Sequence, residues 1–170
     1  MQHDTTRTVG KSMMAIAWVI ALGLLILFFS NWQKNAINPN QQPVSEQTTS
    51  LNKVVLKRNR YDHYITSGSI NGHKVTFLLD TGASDVVIPE KLAQKLGLSR
   101  GRALYANTAN GVIQVYSTQL STLTIGDISL KHIDASINPA MEGEILLGMS
   151  ALKDIEFTQK GQQLTLKQYR

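Results

Sequence analysis

Leu78-Leu79-Asp80-Thr81-Gly82-Ala83-Ser84 is the stretch on which the reading of this chain turns. A largely apolar run, residues 75–79, stops abruptly at a carboxylate, a hydroxyl and a glycine. That pattern predicts a strand delivering Asp80 into a tight loop. A carboxylate set directly after a hydrophobic strand is costly unless a partner satisfies it or chemistry uses it. Taken alone, Asp80 also suits an ordinary turn, because Asp-x-Gly favours tight backbone bends.

The flanking sequence predicts β-structure on both sides. Upstream, 54–56 reads as a strand, and 64–70 with 74–79 form a hairpin across Asn71-Gly72, a strong turn dipeptide. Downstream, 85–88 is β-rich, and Pro89 and Glu90 suit the first turn of a helix. Leu92, Ala93 and Leu96 share one face of that helix, and Gly97 ends it. Residues 102–108 and 112–120 flank Asn110-Gly111, a second hairpin signal, and Gly126-Asp127 joins 123–125 to 128–133. Residues 138–143 read as loop, 145–147 as a short buried strand, and 149–153 as one helical turn. Lys160-Gly161 joins 155–158 to 164–167. Many short strands with closely spaced turns predict an all-β barrel or sandwich with very little helix.

The N-terminal part has a different character. Residues 13–29 carry no polar side chain, and Ser12 and Ser30 extend the stretch to a membrane span at 12–30, with Trp32 at its interface. A cleaved signal peptide is the rival reading. The apolar stretch is long for one, and no small-x-small site follows closely: Ser30 has Phe28 two residues before it, and Ala36 has Lys34. An uncleaved signal anchor is therefore expected. Arg7 and Lys11 precede the span and Lys34 follows it, which favours a cytoplasmic N-terminus with the body outside, periplasmic in a bacterium. The predicted organisation is a short segment 1–11, the span 12–30, a flexible polar tether 31–52 rich in Asn, Gln, Ser and Thr, and a folded domain 53–170.

Composition narrows the function classes. The chain has 170 residues and no cysteine, which excludes disulfides and Cys-ligated metal. The net charge is +5, but the basic residues are scattered. The small cluster Lys57, Arg58 and Arg60 reads as a solvated strand end, and no nucleic-acid partner is expected. His63, His73 and His132 show no ligand spacing, so neither a metal site nor a cofactor is expected.

Asp80-Thr81-Gly82-Ala83-Ser84 resembles the D-T/S-G-A/S-S/T active-site loop of aspartic proteases. Ile145-Leu146-Leu147-Gly148 resembles that family's late apolar pair before a glycine. With one Asp-Thr-Gly, the chain is similar to the single-lobe, retropepsin-like type, in particular small bacterial members with a membrane anchor. The resemblance spans about residues 54–167. It implies a small closed β-barrel with one short helix, preceded here by the transmembrane helix, and an aspartic endopeptidase acting on peptide or protein substrates.

Metal-free hydrolysis without a covalent intermediate needs one group to take a proton from water and another to give one to the amide. Two adjacent carboxylates sharing one proton do both. This chain supplies one such loop, so the second Asp80 must come from another copy across a two-fold axis. A homodimer is expected, with an inactive monomer. Gly82 permits the turn and close approach of backbone N–H groups. Ala83 completes the loop, and Ser84 is placed to bond the outer oxygen of Asp80. The resemblance implies that the Thr81 hydroxyl ties the two loops together and that Gly148 lies behind the loop where a side chain would collide. It also implies a flap over the substrate, matched by order along the chain to Asn107, Asn110, Gly111, Val112 and Ile113. Residues 164–168 are implied as part of the dimer sheet. The alternative is a dimeric peptide-binding or scaffold module of the same fold without turnover.

Overall fold

The computed structural model describes residues 3–108 and 111–170 and divides the chain into two compact units, Met1–Ala36 and Ile37–Arg170. The first is a single helix. α1 runs His3–Ile37, and its stretch Val9–Ile37 is long and apolar enough to cross a membrane by length and composition. Its large apolar side chains, Trp18, Leu24 and Phe28 among them, are exposed. Such a helix lacks the polar face that a soluble surface helix would carry.

The second unit is mostly β. The strands are β1 (Val44–Gln47), β2 (Leu51–Lys57), β3 (Ile65–Ile70), β4 (His73–Leu79), β5 (Val86–Pro89), β6 (Ala103–Thr108), β7 (Gly111–Ile125), β8 (Ile128–Asn138), β9 (Ile145–Leu147), β10 (Glu156–Lys160) and β11 (Gln163–Tyr169), with short helices α2 (Glu90–Lys95) and α3 (Met149–Leu152). They form a four-stranded sheet, β1-β2-β11-β10, and a seven-stranded sheet, β3-β4-β9-β5-β8-β7-β6. β3 also pairs with β7 through Ser69 and Ile70 opposite Thr124 and Leu123. Gly68 makes this approach possible: a Cβ there would lie 2.2 Å from the Thr124 carbonyl oxygen and 2.7 Å from the Phe77 ring. Alternating side chains fill one core between the sheets. Val54 and Leu56 of β2 and Leu164 and Leu166 of β11 pack with Phe77, Leu120, Ile125 and Ile128, all buried.

Two expectations change. The segment 31–52, expected as a flexible tether, carries ordered elements. α1 continues through Ile37, β1 pairs antiparallel with β2, and Asn38 and Asn40 are buried. Asn38 and Asn40 serve as backbone-like hydrogen-bonding groups instead of solvated side chains. The last strand differs as well. β11 is flanked on both sides within the chain, by β2 and by β10, so it has no free edge for a dimer sheet. On its outer face the Lys167 ammonium, and next the Tyr169 hydroxyl, hold the Glu156 carboxyl below the usual carboxylate range.

Candidate active site

Three strands converge on the Asp80 loop. β4 runs parallel to β9, with Leu79 opposite Leu147, and Val87 of β5 meets Leu146 of β9 from the other side. The Asp80 N–H donates to the Leu147 carbonyl at 3.2 Å, fixing where the strand ends. The chain then turns sharply: the Ala83 N–H donates to the Asp80 carbonyl at 3.2 Å, and the Gly82 N–H to Asp80 Oδ1 at 2.9 Å. One carboxylate oxygen is therefore held by the backbone of its own loop. Asp80 is half-buried, and Thr81 and Gly82 stand exposed at the tip.

The base of the loop is gripped by α3. The Met149 N–H donates to the Ala83 carbonyl at 2.9 Å and the Ser150 N–H to the Ser84 carbonyl at 2.8 Å. The Ser150 hydroxyl accepts from the Val86 N–H at 2.9 Å. Gly148 sits where β9 passes this base, and a Cβ there would fall 2.0 Å from the Asp85 carbonyl oxygen and 2.6 Å from that of Ala83. Ser84 thus acts here through its carbonyl. Ser84 lines the cleft, and its hydroxyl makes no hydrogen bond to Asp80 among the described residues.

Asp80 opens into a cleft of about 620 Å³. One wall is the β6–β7 hairpin, in which Ala106 pairs with Ile113, Asn107 with Val112 and Thr108 with Gly111. Of the flap residues expected from sequence, Asn107 and Ile113 line the cleft, Val112 is exposed, and Gly111 has a φ of 105°, a left-handed conformation suited to glycine. Asn110 lies outside the described residues.

The sequence reading missed the rest of the lining. Val87, Val115 and Leu146 give apolar surface, Tyr105 comes from the hairpin, and Ser136 and Asn138 come from β8. The last two left no local signal in the sequence. Both are polar yet buried beside Ala135 and Ile137, but β8 also carries Ser129, Lys131, His132 and Asp134, so residue type alone does not set them apart. The Asn138 Oδ1 accepts from the Ala140 N–H at 2.9 Å. Among the described residues no three His, Cys, Asp or Glu side chains gather as metal ligands would. The arrangement offers a carboxylate beside an apolar trough with a few polar groups, a shape that fits an extended peptide.

The comparisons with known proteins agree with this geometry. An uncharacterised Sinorhizobium sp. protein from the cobV 5′ region is 29% identical over 137 residues, covering 77% of this chain and 58% of its own length. An uncharacterised Rickettsia prowazekii protein, RP867, is 28% identical over 138 residues, covering 79% of this chain and 59% of its own. The chain thus spans just under three fifths of the length of these relatives. The crystal structure of a retropepsin-like aspartic protease from Rickettsia conorii superposes with a TM-score of 0.61 at 27% identity, covering 73% of this chain and 98% of that one. The gag-polyprotein putative aspartyl protease family matches residues 66–154, from the hairpin that delivers Asp80 to the helix that grips its loop. With more than half of its length matched, the chain belongs to this aspartyl protease family and has a retropepsin-like fold.

Proposed function

We propose that this chain is a membrane-anchored aspartic endopeptidase that works as a homodimer. The observation that carries the reading is the placement of Asp80. It ends a β-strand in a backbone-held loop and opens into a cleft walled by a β-hairpin, in a chain of the aspartyl protease family. A single carboxylate does not supply both proton transfers that peptide hydrolysis needs. A second Asp80 from another copy completes the pair, and two carboxylates at close range share one proton because both cannot ionise easily. The ionised member takes a proton from water, and the protonated member gives one to the leaving amide nitrogen. Thr81, exposed at the loop tip, and Gly82, Ala83 and Ser84 support the loop, and Gly148 gives it room from behind. The hairpin that carries Asn107, Gly111, Val112 and Ile113 covers the substrate, which lies extended along the trough. α1 places the enzyme in a membrane, with the β unit outside and the N-terminus in the cytoplasm.

The test is cleavage of a diverse peptide mixture by the full chain in detergent micelles between pH 4 and 7.5, read by mass spectrometry beside Asp80→Asn. New cleavage products that vanish with the variant are expected. Products that persist in Asp80→Asn would overturn the reading. A folded, dimeric wild-type chain that binds peptides and cleaves none would replace it with a binding module.

A further inference from the structure

The two outer strands of the four-stranded sheet are not equivalent. On β1, the Ser45 hydroxyl is bonded to Asp127, donating to the carboxylate at 2.6 Å and accepting from the N–H at 2.8 Å, and Glu46 pairs with Lys53. On β10 all five residues are exposed, and pairing occurs only on the β11 side. The turn between them has two residues, Gly161 and Gln162, which makes Lys160 and Gln163 the hydrogen-bonded closing pair. By alternation, Glu156, Thr158 and Lys160 direct their backbone groups to β11, and Phe157 and Gln159 direct theirs outward. An open row of N–H and C=O groups is a template for another strand.

The sequence of that edge says which strand. Glu156-Phe157-Thr158-Gln159-Lys160 is complementary to itself when read antiparallel about Thr158. Glu156 then faces Lys160 of the second copy, Lys160 faces its Glu156, and Phe157 faces Gln159. We propose that β10 is the edge through which two copies of this chain pair, antiparallel and centred on Thr158. This rests on the dimeric reading above and names where the copies meet.

Several observations converge on this edge and register. Phe157 and Gln159 hold all the outward backbone groups of the strand, and the pairing satisfies every one of them. Lys160 makes no ion pair among the described residues, while Glu156 already bonds Lys167 and Tyr169. The pair therefore lays down a row of alternating charge: Lys160 of the second copy, Glu156, Lys167. Phe157 shares a sheet face with buried Leu164 and Leu166 yet remains 41% exposed, and the two Phe157 rings extend that apolar face across the axis. β1 read against itself sets Val44 against Gln47 and Ser45 against Glu46, with no opposite charges. Among the described residues the remaining free edge, β6, is committed to the Asp80 cleft through Tyr105 and Asn107. The chain also passes from α3, which grips the Asp80 loop, to β10 in three residues, 153–155.

Because the chain has no cysteine, the test is direct. Thr158 faces itself in a non-hydrogen-bonded pair, where Cα atoms lie about 4.5 Å apart, within reach of a disulfide. Full-length Thr158→Cys in detergent micelles is expected to give a covalent dimer on mild oxidation, and Gln163→Cys, at the far side of the hairpin, is not. Gln159→Pro removes an outward N–H without costing a ladder bond to β11, and Lys160→Glu sets like charges together. Each is expected to raise the dimer dissociation constant about ten-fold or more, the equivalent of one or two net interactions. A Thr158→Cys chain that stays uncrosslinked, or two edge variants with unchanged dissociation constants, would overturn the interface. Peptide cleavage without cross-linking leaves the protease reading standing and removes the interface. Cross-linking without cleavage does the reverse.

Discussion

A methyl group added at Gly148 meets backbone, not side chain. The nearest atoms are the carbonyl oxygens of Asp85 and Ala83, at 2.0 and 2.6 Å, and both belong to the base of the Asp80 loop. The backbone of Gly148 itself is extended, with φ −91° and ψ −172°, so space and not conformation demands the glycine. Gly82 differs: a Cβ there finds only Asp80 Oδ1, at 3.2 Å. Gly148→Ala is therefore expected to cost about 3 kcal/mol or more, through a forced shift of β9 or of the loop. Circular dichroism of the β signal should show the lowered unfolding temperature, and peptide cleavage should fall with it. An unchanged unfolding temperature would mean that the loop base yields more easily than its hydrogen bonds to α3 imply. The Asp80 loop was legible in sequence because its signals are local: an apolar run, a carboxylate and a glycine in consecutive positions. Ser136 and Asn138 were not, because only the pairing of β8 with β5 and β7 brings them to the cleft.

Segment 37–41 shows how a polar composition can mislead about an element. Its asparagines look like a solvated tether, yet Asn40 is 3% exposed and ties strands of both sheets together. Its Nδ2 donates to the Lys57 carbonyl of β2 at 2.9 Å and to the Ile65 carbonyl of β3 at 2.7 Å, and its Oδ1 accepts from the Lys57 N–H at 2.7 Å. Asn38 accepts from the Asn40 N–H and donates to Ser67, and Asn59 donates to the Ile37 carbonyl. A side-chain amide has the same donor and acceptor as a peptide bond, so asparagine can replace a strand neighbour where no strand fits. Periodicity cannot reveal this, since the partners lie far away in sequence. Asn40→Ala leaves three backbone groups without these partners, the Ile65 carbonyl buried and the two of Lys57 partly so, and is expected to cost about 1–3 kcal/mol. Gln42→Ala, at an exposed position, should stay within about 0.5 kcal/mol of wild type. Thermal unfolding of the two variants side by side checks this. Equal unfolding temperatures would return the segment to the role of a loose tether.

At the scale of the whole molecule, the apolar N-terminal helix and the β character were readable because composition and turn chemistry are one-dimensional signals. The division into two sheets, the β3–β7 contact allowed by Gly68 and the enclosure of β11 depend on long-range register, which no local pattern encodes. The exposed loop tip at Thr81 and the open edge of β10 are the two surfaces that a second copy is proposed to cover. If the reacting pair draws one Asp80 from each copy, mixing separates that from a self-sufficient chain. Wild type and Asp80→Asn combined at equal amounts and constant total concentration should pair at random. About half of the wild-type chains then sit in mixed dimers, and activity per wild-type chain falls to about one half, or about one quarter with a threefold excess of the variant. Activity proportional to wild-type chain alone would show that each copy works by itself. The measurement also reports exchange, because pre-formed dimers joined at Thr158→Cys should resist the inhibition that freely exchanging chains undergo.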